Sequence, residues 1–370
     1  MNLVIIRWRI ASSGGVESFI FDIADALDQR GVEVTLISEQ CDQSATFKGR
    51  FIKLPISRGT RSQKYRRFQA SVGEAIARNR FGLVQSHERL LTADLYRAGD
   101  GVHAAWFDRL KKSRPWWRGV GMNVNTMHNL YRDIELKMAR ESDMIFVANS
   151  TLVARELHDW LDLPAARIRL IENGVDLNYF TPAAPQQRVD ARAALGIDST
   201  GPVACYVGSG FERKGAFQLV RALADPSLQD VTAVIAGRDK AERMLIGLAK
   251  RLGLSNRLVV TGPLSDVRSV LHAADIFVLP TLYDPMPNAA LEALASGLPV
   301  VTTADAGIAD AIDDTGAGKV TTRDPEALAD AMAAVFGDLA IARQAALDLR
   351  PRFALSETVA KWLELYGELS

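Results

Sequence analysis

Asp284 and Glu292 stand eight positions apart in Tyr283-Asp284-Pro285-Met286-Pro287-Asn288-Ala289-Ala290-Leu291-Glu292-Ala293. Between them lie a turn-forming Pro-Met-Pro-Asn and the opening of an Ala/Leu-rich helix. The first turn of a helix carries N–H groups without intrahelical partners and the positive end of the dipole, a combination that receives phosphate. A carboxylate on either side accepts hydrogen bonds from sugar hydroxyls. The spacing frames a pocket suited to a sugar nucleotide. The competing reading is an ordinary helix with a capping acid and one solvated Glu.

Two glycine-rich turns carry related chemistry. Ser12-Ser13-Gly14-Gly15-Val16-Glu17 follows the apolar run Leu3–Ile6 and opens a helix. Paired glycines such as Gly14 and Gly15 let a ligand approach the backbone at a helix N-terminus. The spacing is not G-x-G-x-x-G, so a dinucleotide reading is weak, and a plain tight turn stays open. Gly208-Ser209-Gly210-Phe211-Glu212-Arg213-Lys214-Gly215 follows a second apolar run, Val203–Val207. There Arg213 and Lys214 stand in a loop where fixed cations could meet a diphosphate. The alternative is a solvated Arg-Lys pair. A P-loop is absent.

Parallel strands and helices must position these turns. Leu3–Ile6, Val32–Ser38, Gly82–Gln85 and Met144–Ala148 read as strands, with helices over Ser18–Arg30 and Thr151–Leu161. The pattern restarts at Gly201. Strands fall on Val203–Val207, Val231–Ala236, Leu258–Thr261, Asp275–Leu279 and Val300–Thr302. Helices fall on Ala216–Ala224, Lys240–Arg251, Asp266–Ala273 and Ala289–Ala295. Such alternation predicts an α/β protein of two doubly wound, Rossmann-like units facing a deep cleft. Asn173-Gly174, Pro182 and Pro185 place the boundary within Glu172–Pro185. The domain reading is 1–172, then 173–350, then a C-terminal helix within 351–370 that crosses back to the first domain.

Composition sets further bounds. The chain has 370 residues, 48% hydrophobic and 24% charged, with 44 basic and 44 acidic side chains, so net charge selects no partner. Local charge is uneven: eight basic residues and no acid lie between Gln43 and Gly73. The two cysteines are far apart; Cys205 reads as core, and neither a disulfide framework nor a metal cluster is expected. The N-terminus lacks a signal h-region and no apolar run reaches about 18 residues, which points to a cytoplasmic location.

In combination the motifs resemble the retaining GT-B glycosyltransferases of family 4. The matching pieces are Gly14-Gly15-Val16-Glu17, Glu172-Asn173-Gly174-Val175-Asp176, Val207-Gly208 with Arg213-Lys214-Gly215, and Ala273-Ala274-Asp275-Ile276-Phe277-Val278-Leu279-Pro280. The acidic pair and Ala295-Ser296-Gly297-Leu298-Pro299-Val300-Val301 complete the set in the family's order. Within the family the chain is most similar to the lipopolysaccharide inner-core heptose I glucosyltransferases, notably over Val207–Gly215 and Ala98-Gly99-Asp100. The resemblance implies that Glu292 binds the ribose hydroxyls. Asp284, one methylene shorter than the family's usual Glu, lies near the donor sugar. It also implies that Arg213 and Lys214 stabilise the leaving diphosphate without a metal. The resemblance further implies that Gly208 and the backbone of Pro287-Asn288-Ala289 line sugar and phosphates and that Leu264, in Thr261-Gly262-Pro263-Leu264, passes beside the base. Asp100 matches an acid proposed as catalytic. An acceptor hydroxyl must lose a proton, and Asp100, His87 or the departing diphosphate could take it. Asp94, Asp100 and His103 read as lying in one loop after the strand near Leu83–Ser86, where Asp100-Gly101 is otherwise a turn.

The segment from Trp106 to Arg118 mixes aromatics with Arg109, Lys111, Lys112, Arg114, Trp116, Trp117 and Arg118. Such a mixture suits an anionic lipid surface, and stacking on nucleic acid or a solvated basic helix face are the alternatives. The resemblance favours the membrane. Together the expectations are a hexosyltransferase, taking glucose from UDP-glucose to a sugar of a lipid-linked anionic acceptor, peripheral on the cytoplasmic face of the inner membrane. UDP-N-acetylglucosamine or GDP-mannose as donor, a UDP-N-acetylglucosamine 2-epimerase type of isomerase, and more weakly an oxidoreductase are the other readings. No cofactor, metal or nucleic acid is expected.

Overall fold

Buried apolar strands alternate with amphipathic helices along the chain. The computed structural model describes residues 1–10, 15–41, 49–79, 81–113, 126–197 and 200–369. It divides into two compact units, Met1–Gly174 with Leu355–Ser370, and Val175–Ala354.

The first unit contains strands β1 (Asn2–Ile6), β2 (Arg9–Ile10), β3 (Glu33–Ser38), β4 (Gln40–Cys41), β5 (Arg50–Lys53), β6 (Leu83–Ser86), β7 (Leu95–Arg97), β8 (Ile145–Ala148) and β9 (Ile168–Leu170). Its helices are α1 (Gly15–Asp28), α2 (Arg61–Arg78), α3 (His103–Lys112), α4 (Thr126–Glu141) and α5 (Thr151–Leu161). The main sheet is parallel with order β5-β3-β1-β6-β7-β8-β9. Because strand side chains alternate, β1 serves two cores. Val4 and Ile6 join Tyr65 and Phe68 of α2 on one face. Leu3 and Ile5 join Ile20, Ile23 and Leu27 of α1 on the other.

The second unit runs α6 (Pro185–Ala194), β10 (Val203–Val207), α7 (Phe211–Lys214), α8 (Ala216–Ala222), β11 (Thr232–Ala236), α9 (Glu242–Arg251), β12 (Leu258–Gly262) and α10 (Arg268–Ala273). It continues with β13 (Ile276–Leu279), α11 (Asn288–Ala295), β14 (Val300–Thr303), α12 (Ala309–Thr315), β15 (Gly318–Thr321), α13 (Pro325–Gly337) and α14 (Leu339–Leu349). The sheet order is β12-β11-β10-β13-β14-β15, again parallel. Cys205 is fully buried in this core. The last helix, α15 (Leu355–Leu369), returns to the first unit. There it inserts Val359, Trp362, Leu365 and Tyr366 beside β1 and β3, and the Tyr366 hydroxyl donates to Gln85 Oε1 at 2.6 Å.

Several elements differ from their sequence reading. Asp94, Asp100 and His103 do not share one loop: β7 separates the first two, and His103 opens α3. Leu95–Arg97 is too short to announce itself, and it becomes a strand because β6 and β8 supply ladder partners on both sides. Arg213 and Lys214 end the short helix α7 rather than sitting in an open loop. Helix α2 carries its buried residues Tyr65, Phe68, Val72 and Ala75 at helical spacing inside a basic stretch, where the sequence reading weighed only charge.

Candidate active site

In each sheet the chain leaves a central strand in one direction and later returns on its other side. At such a switch point the loops beyond the strand ends part and leave room for a ligand. In the second unit the point lies between β10 and β13, which are paired neighbours. Arg213 and Lys214 follow β10, and Asp284 follows β13. The Lys214 ammonium and Asp284 carboxylate stand 3.0 Å apart, and Arg213 Nη1 donates to the Tyr283 carbonyl at 2.6 Å.

The turn after β10 is held from several directions. Asp239 Oδ2 accepts from Gly210 N and Phe211 N, each at 2.9 Å. What burial Asp239 has would raise its pKa, but these N–H groups and that of Ala241 hold the carboxyl below its usual range. Gly215, at φ +88°, lies against Pro280, and a Cβ there would run into the Pro280 carbonyl. Lys214 lays its stem over Gly208, where a Cβ would sit 3.1 Å from Lys214 Cδ. Asp284 is fixed through its backbone: its N–H donates to Asp305 O at 3.0 Å, and its carbonyl accepts from Gly307 N at 2.8 Å.

Helix α11 then begins. Its N-cap, Pro287, gives no side-chain hydrogen bond to the first turn. Asn288 and Ala289 in that turn are partly exposed, as is Glu292 one turn on. Partly exposed Gly208 and exposed Leu264, just beyond β12, belong to the same unit. Gly15 is the first residue of α1 in the other unit, and Gly14 lies outside the described residues.

The first unit has its switch point between β1 and β6. Arg7 follows β1, Glu88 follows β6 and Asp100 follows β7. Arg7 Nη1 lies 3.5 Å from both Glu88 Oε1 and Asp100 Oδ2. These residues and Arg9, Arg61 and Lys64 line a cavity of about 430 Å³. Glu88 is buried, while the Asp100 side chain is 50% exposed.

Charge sets distinct protonation behaviour here. Protein atoms crowding Asp100 would raise its pKa, but Arg7, then Arg89 and Arg97, hold the carboxyl below its ordinary range. Burial raises Glu88 despite Arg7. His87 is buried beside Arg97 and Arg7 and is pushed well below its usual value, which makes it a weak base. Burial, then Arg89 and His128, push His103 down to about 3.

A buried pair brackets the Asp100-Gly101 turn. Arg89 Nε donates to Glu135 Oε1 at 2.7 Å and Arg89 Nη2 donates to the Gly101 carbonyl at 3.3 Å. The His103 N–H donates back to Glu135 at 3.0 Å. On the other side the Arg97 guanidinium occupies the space a Gly99 Cβ would need. Arg7, Glu88, Arg89 and Glu135 were missed in the sequence. The available signal was Arg7-Trp8-Arg9 and His87-Glu88-Arg89 directly behind apolar strands.

The basic aromatic segment is only partly described. On α3, Arg109 turns inward to pair with the buried Glu156 at 2.7 Å. Lys112 pairs with Asp108 at 2.7 Å, and Lys111 lies over the Phe107 ring. Arg114, Trp116, Trp117 and Arg118 lie outside the described residues. Among the described residues no helix is long and apolar enough to cross a membrane.

Two parallel Rossmann-like sheets, each with a switch point of this kind, are the GT-B architecture, and each half of the chain matches a glycosyltransferase family model. Residues 13–179 match the model for glycosyltransferase family 4, and residues 187–345 match that for glycosyl transferases group 1. In sequence the chain is similar to the D-inositol 3-phosphate glycosyltransferase of Salinispora arenicola, 32% identical over 63% of this chain and 56% of the relative. The counterpart from Mycolicibacterium gilvum is 34% identical over 63% and 53%. The chain thus spans about half the length of these relatives. In fold it is similar to WaaG, a glycosyltransferase involved in lipopolysaccharide biosynthesis, with TM-score 0.83 and 20% identity over 98% of this chain and 99% of that one. HepE of Anabaena, in complex with UDP-glucose, gives TM-score 0.76 and 18% identity over 99% of each chain. Likeness at these identities speaks to the fold alone.

Proposed function

We propose that the protein transfers a hexosyl group, glucose from UDP-glucose, to a hydroxyl of a sugar-like anionic acceptor with retention of configuration. The observation that carries this is the convergence of Arg213, Lys214 and Asp284 at one switch point, followed by the uncapped first turn of α11. Cations and a helix N-terminus without a side-chain cap suit a diphosphate, and Asp284 and Glu292 suit sugar and ribose hydroxyls. The choice of UDP-glucose draws on HepE, which has the same fold and is known in complex with that donor. Arg213 and Lys214 offset the charge that develops on the leaving diphosphate, which gives the metal-independent reading its support. Access favours Asp100 over His87: the Asp100 carboxylate is half-exposed where an acceptor hydroxyl can reach it, whereas His87 is buried, although Arg7 lowers the basicity of Asp100 as burial lowers that of His87.

Two observations bear on the acceptor. The likeness of Val207–Gly215 to lipopolysaccharide core glucosyltransferases favours a lipid-linked core sugar at the inner-membrane surface. The name of the sequence relatives favours a phosphorylated cyclitol. Product analysis with UDP-glucose and each acceptor decides between them. An isomerase would instead convert the donor with no acceptor present, and that result would overturn the transferase reading. Turnover should persist in EDTA; a loss that added metal restores would end the metal-free reading. Co-sedimentation of the native protein with anionic vesicles tests the membrane assignment, which falls if none is seen.

A further inference from the structure

We propose that the cavity beyond β1, β6 and β7 holds a phosphate monoester on the acceptor, gripped by Arg9, Arg61 and Lys64. The inference rests on the transferase reading and deepens it by naming the acceptor's chemistry. The cavity presents Arg7, Arg9, Arg61 and Lys64 against Glu88 and Asp100. Arg7 is answered within the wall, since both carboxylates lie 3.5 Å from it. Among the described residues no acid forms an ion pair with Arg9, Arg61 or Lys64. A neutral acceptor would leave those three charges of the cavity lining without an anionic partner.

Placement sharpens the reading. Arg9 lies over the Trp8 ring at 4.9 Å, which holds the guanidinium in place and leaves its edge free to donate. Arg61 and Lys64 stand three positions apart in the first turn of α2 and so share a helix face. That turn carries no acid, and two cations sit at the positive end of the dipole, where they cost the helix stability. A dianionic phosphate among them relieves both repulsions and matches the arginine fork. A cavity of about 430 Å³ accommodates a sugar phosphate.

Calorimetry on the full chain tests the site with glucose 6-phosphate, inorganic phosphate and neutral glucose. A second arm uses phosphatidylcholine vesicles with and without phosphatidic acid, whose headgroup is a phosphate monoester, so that a soluble phosphate monoester and a lipid-borne one are told apart. Glucose 6-phosphate or the anionic vesicles should bind, neutral glucose and plain phosphatidylcholine should not, and Arg61→Ala/Lys64→Ala should weaken binding at least tenfold. Arg61 is exposed and the melting temperature should hold; Arg9→Ala, on another element, should give the same loss. Binding in neither arm, or binding unchanged in both variants, overturns the proposal. A parallel UDP titration reports the donor site independently: its failure with phosphate binding intact would count against the transferase reading, not against this cavity.

Discussion

Lys214 carries its positive charge 3.0 Å from Asp284, so part of that charge is offset until an anion arrives. In the proposed transfer a diphosphate gains charge as the glycosidic bond breaks, and on that reading Lys214 acts chiefly in the transition state. Lys214→Ala should therefore lower kcat more than it raises the donor KM, and Arg213→Ala should follow it. A rise in KM with kcat intact would assign both to ground-state binding. Glu292→Gln should weaken UDP by about 10- to 150-fold in calorimetry, the equivalent of about 1.5–3 kcal/mol for hydrogen bonds to a charged group. Its melting temperature should hold, because Glu292 stands partly exposed on α11. Unchanged affinity removes the ribose role. Asp100→Asn should cut turnover while UDP binds as before; near-normal turnover moves the proton to the donor phosphate. Residue chemistry also sets a stability profile. His103 titrates near 3 in the fold and near 6.5 once unfolded. Because the unfolded chain binds the extra proton, this stability is present above pH 6.5 and is lost as pH falls toward 3. The slope is about 1.4 kcal/mol per pH unit. Denaturant titrations of the native protein and His103→Gln should show a shallower decline for the variant between about pH 6.5 and 5.5. Equal slopes would show that His103 is not the linked group.

At the scale of elements, loops behind parallel strands carry the candidate chemistry, and their shape depends on tight backbone contacts. Gly215 joins α7 to α8 at φ +88°, pressed on Pro280. Gly215→Ala adds strain and a clash with a carbonyl that β13 cannot yield. A loss of about 2 kcal/mol or more in denaturation and weaker UDP binding should follow, since Arg213 and Lys214 ride on that junction. A variant as stable as the native protein would mean that Pro280 yields. On α3 the basic residues divide by partner. Arg109→Ala removes the cation paired with the buried Glu156 and should lower the melting temperature, whereas Lys111→Ala/Lys112→Ala should leave it within about a degree or two. Vesicle binding lost in the lysine variant but kept by Arg109→Ala would divide lipid contact from packing; loss in both would mean that α3 as a whole carries it.

At the scale of the whole molecule, the first unit is built from both ends of the chain. Helix α15 supplies Trp362 and Tyr366 to the core over Leu3, Ile5 and Leu36. Removing residues 355–370 should unfold the first unit, since it strips one face of its sheet, while Val175–Ala354 keeps its own core. Calorimetry of the truncated chain should retain one transition and lose or strongly lower another. Retention of both would show that α15 is dispensable.

The sequence by itself determined the doubly wound architecture, because the central parallel strands β1, β3, β6, β8, β10, β11, β13 and β14 are short apolar runs legible locally; the edge strands β5, β9 and β15 are not continuous buried runs and were not read. It also offered candidates beyond those runs: Arg213 and Lys214 follow β10, Asp284 follows β13, and Glu292 lies one turn into the helix after it. Strand β7 was not legible, because three residues become a strand only when β6 and β8 present free ladder edges to them. Nor was the cavity around Arg7, Glu88 and Asp100, whose parts lie far apart in the chain. Only the tertiary structure decided that three strand ends meet there, that Arg7 holds Asp100 ionised while burial raises Glu88, and that Arg109 turns inward. Charge and burial are properties of an assembled neighbourhood, and one-dimensional spacing carries the neighbours along the chain but not those across the sheet.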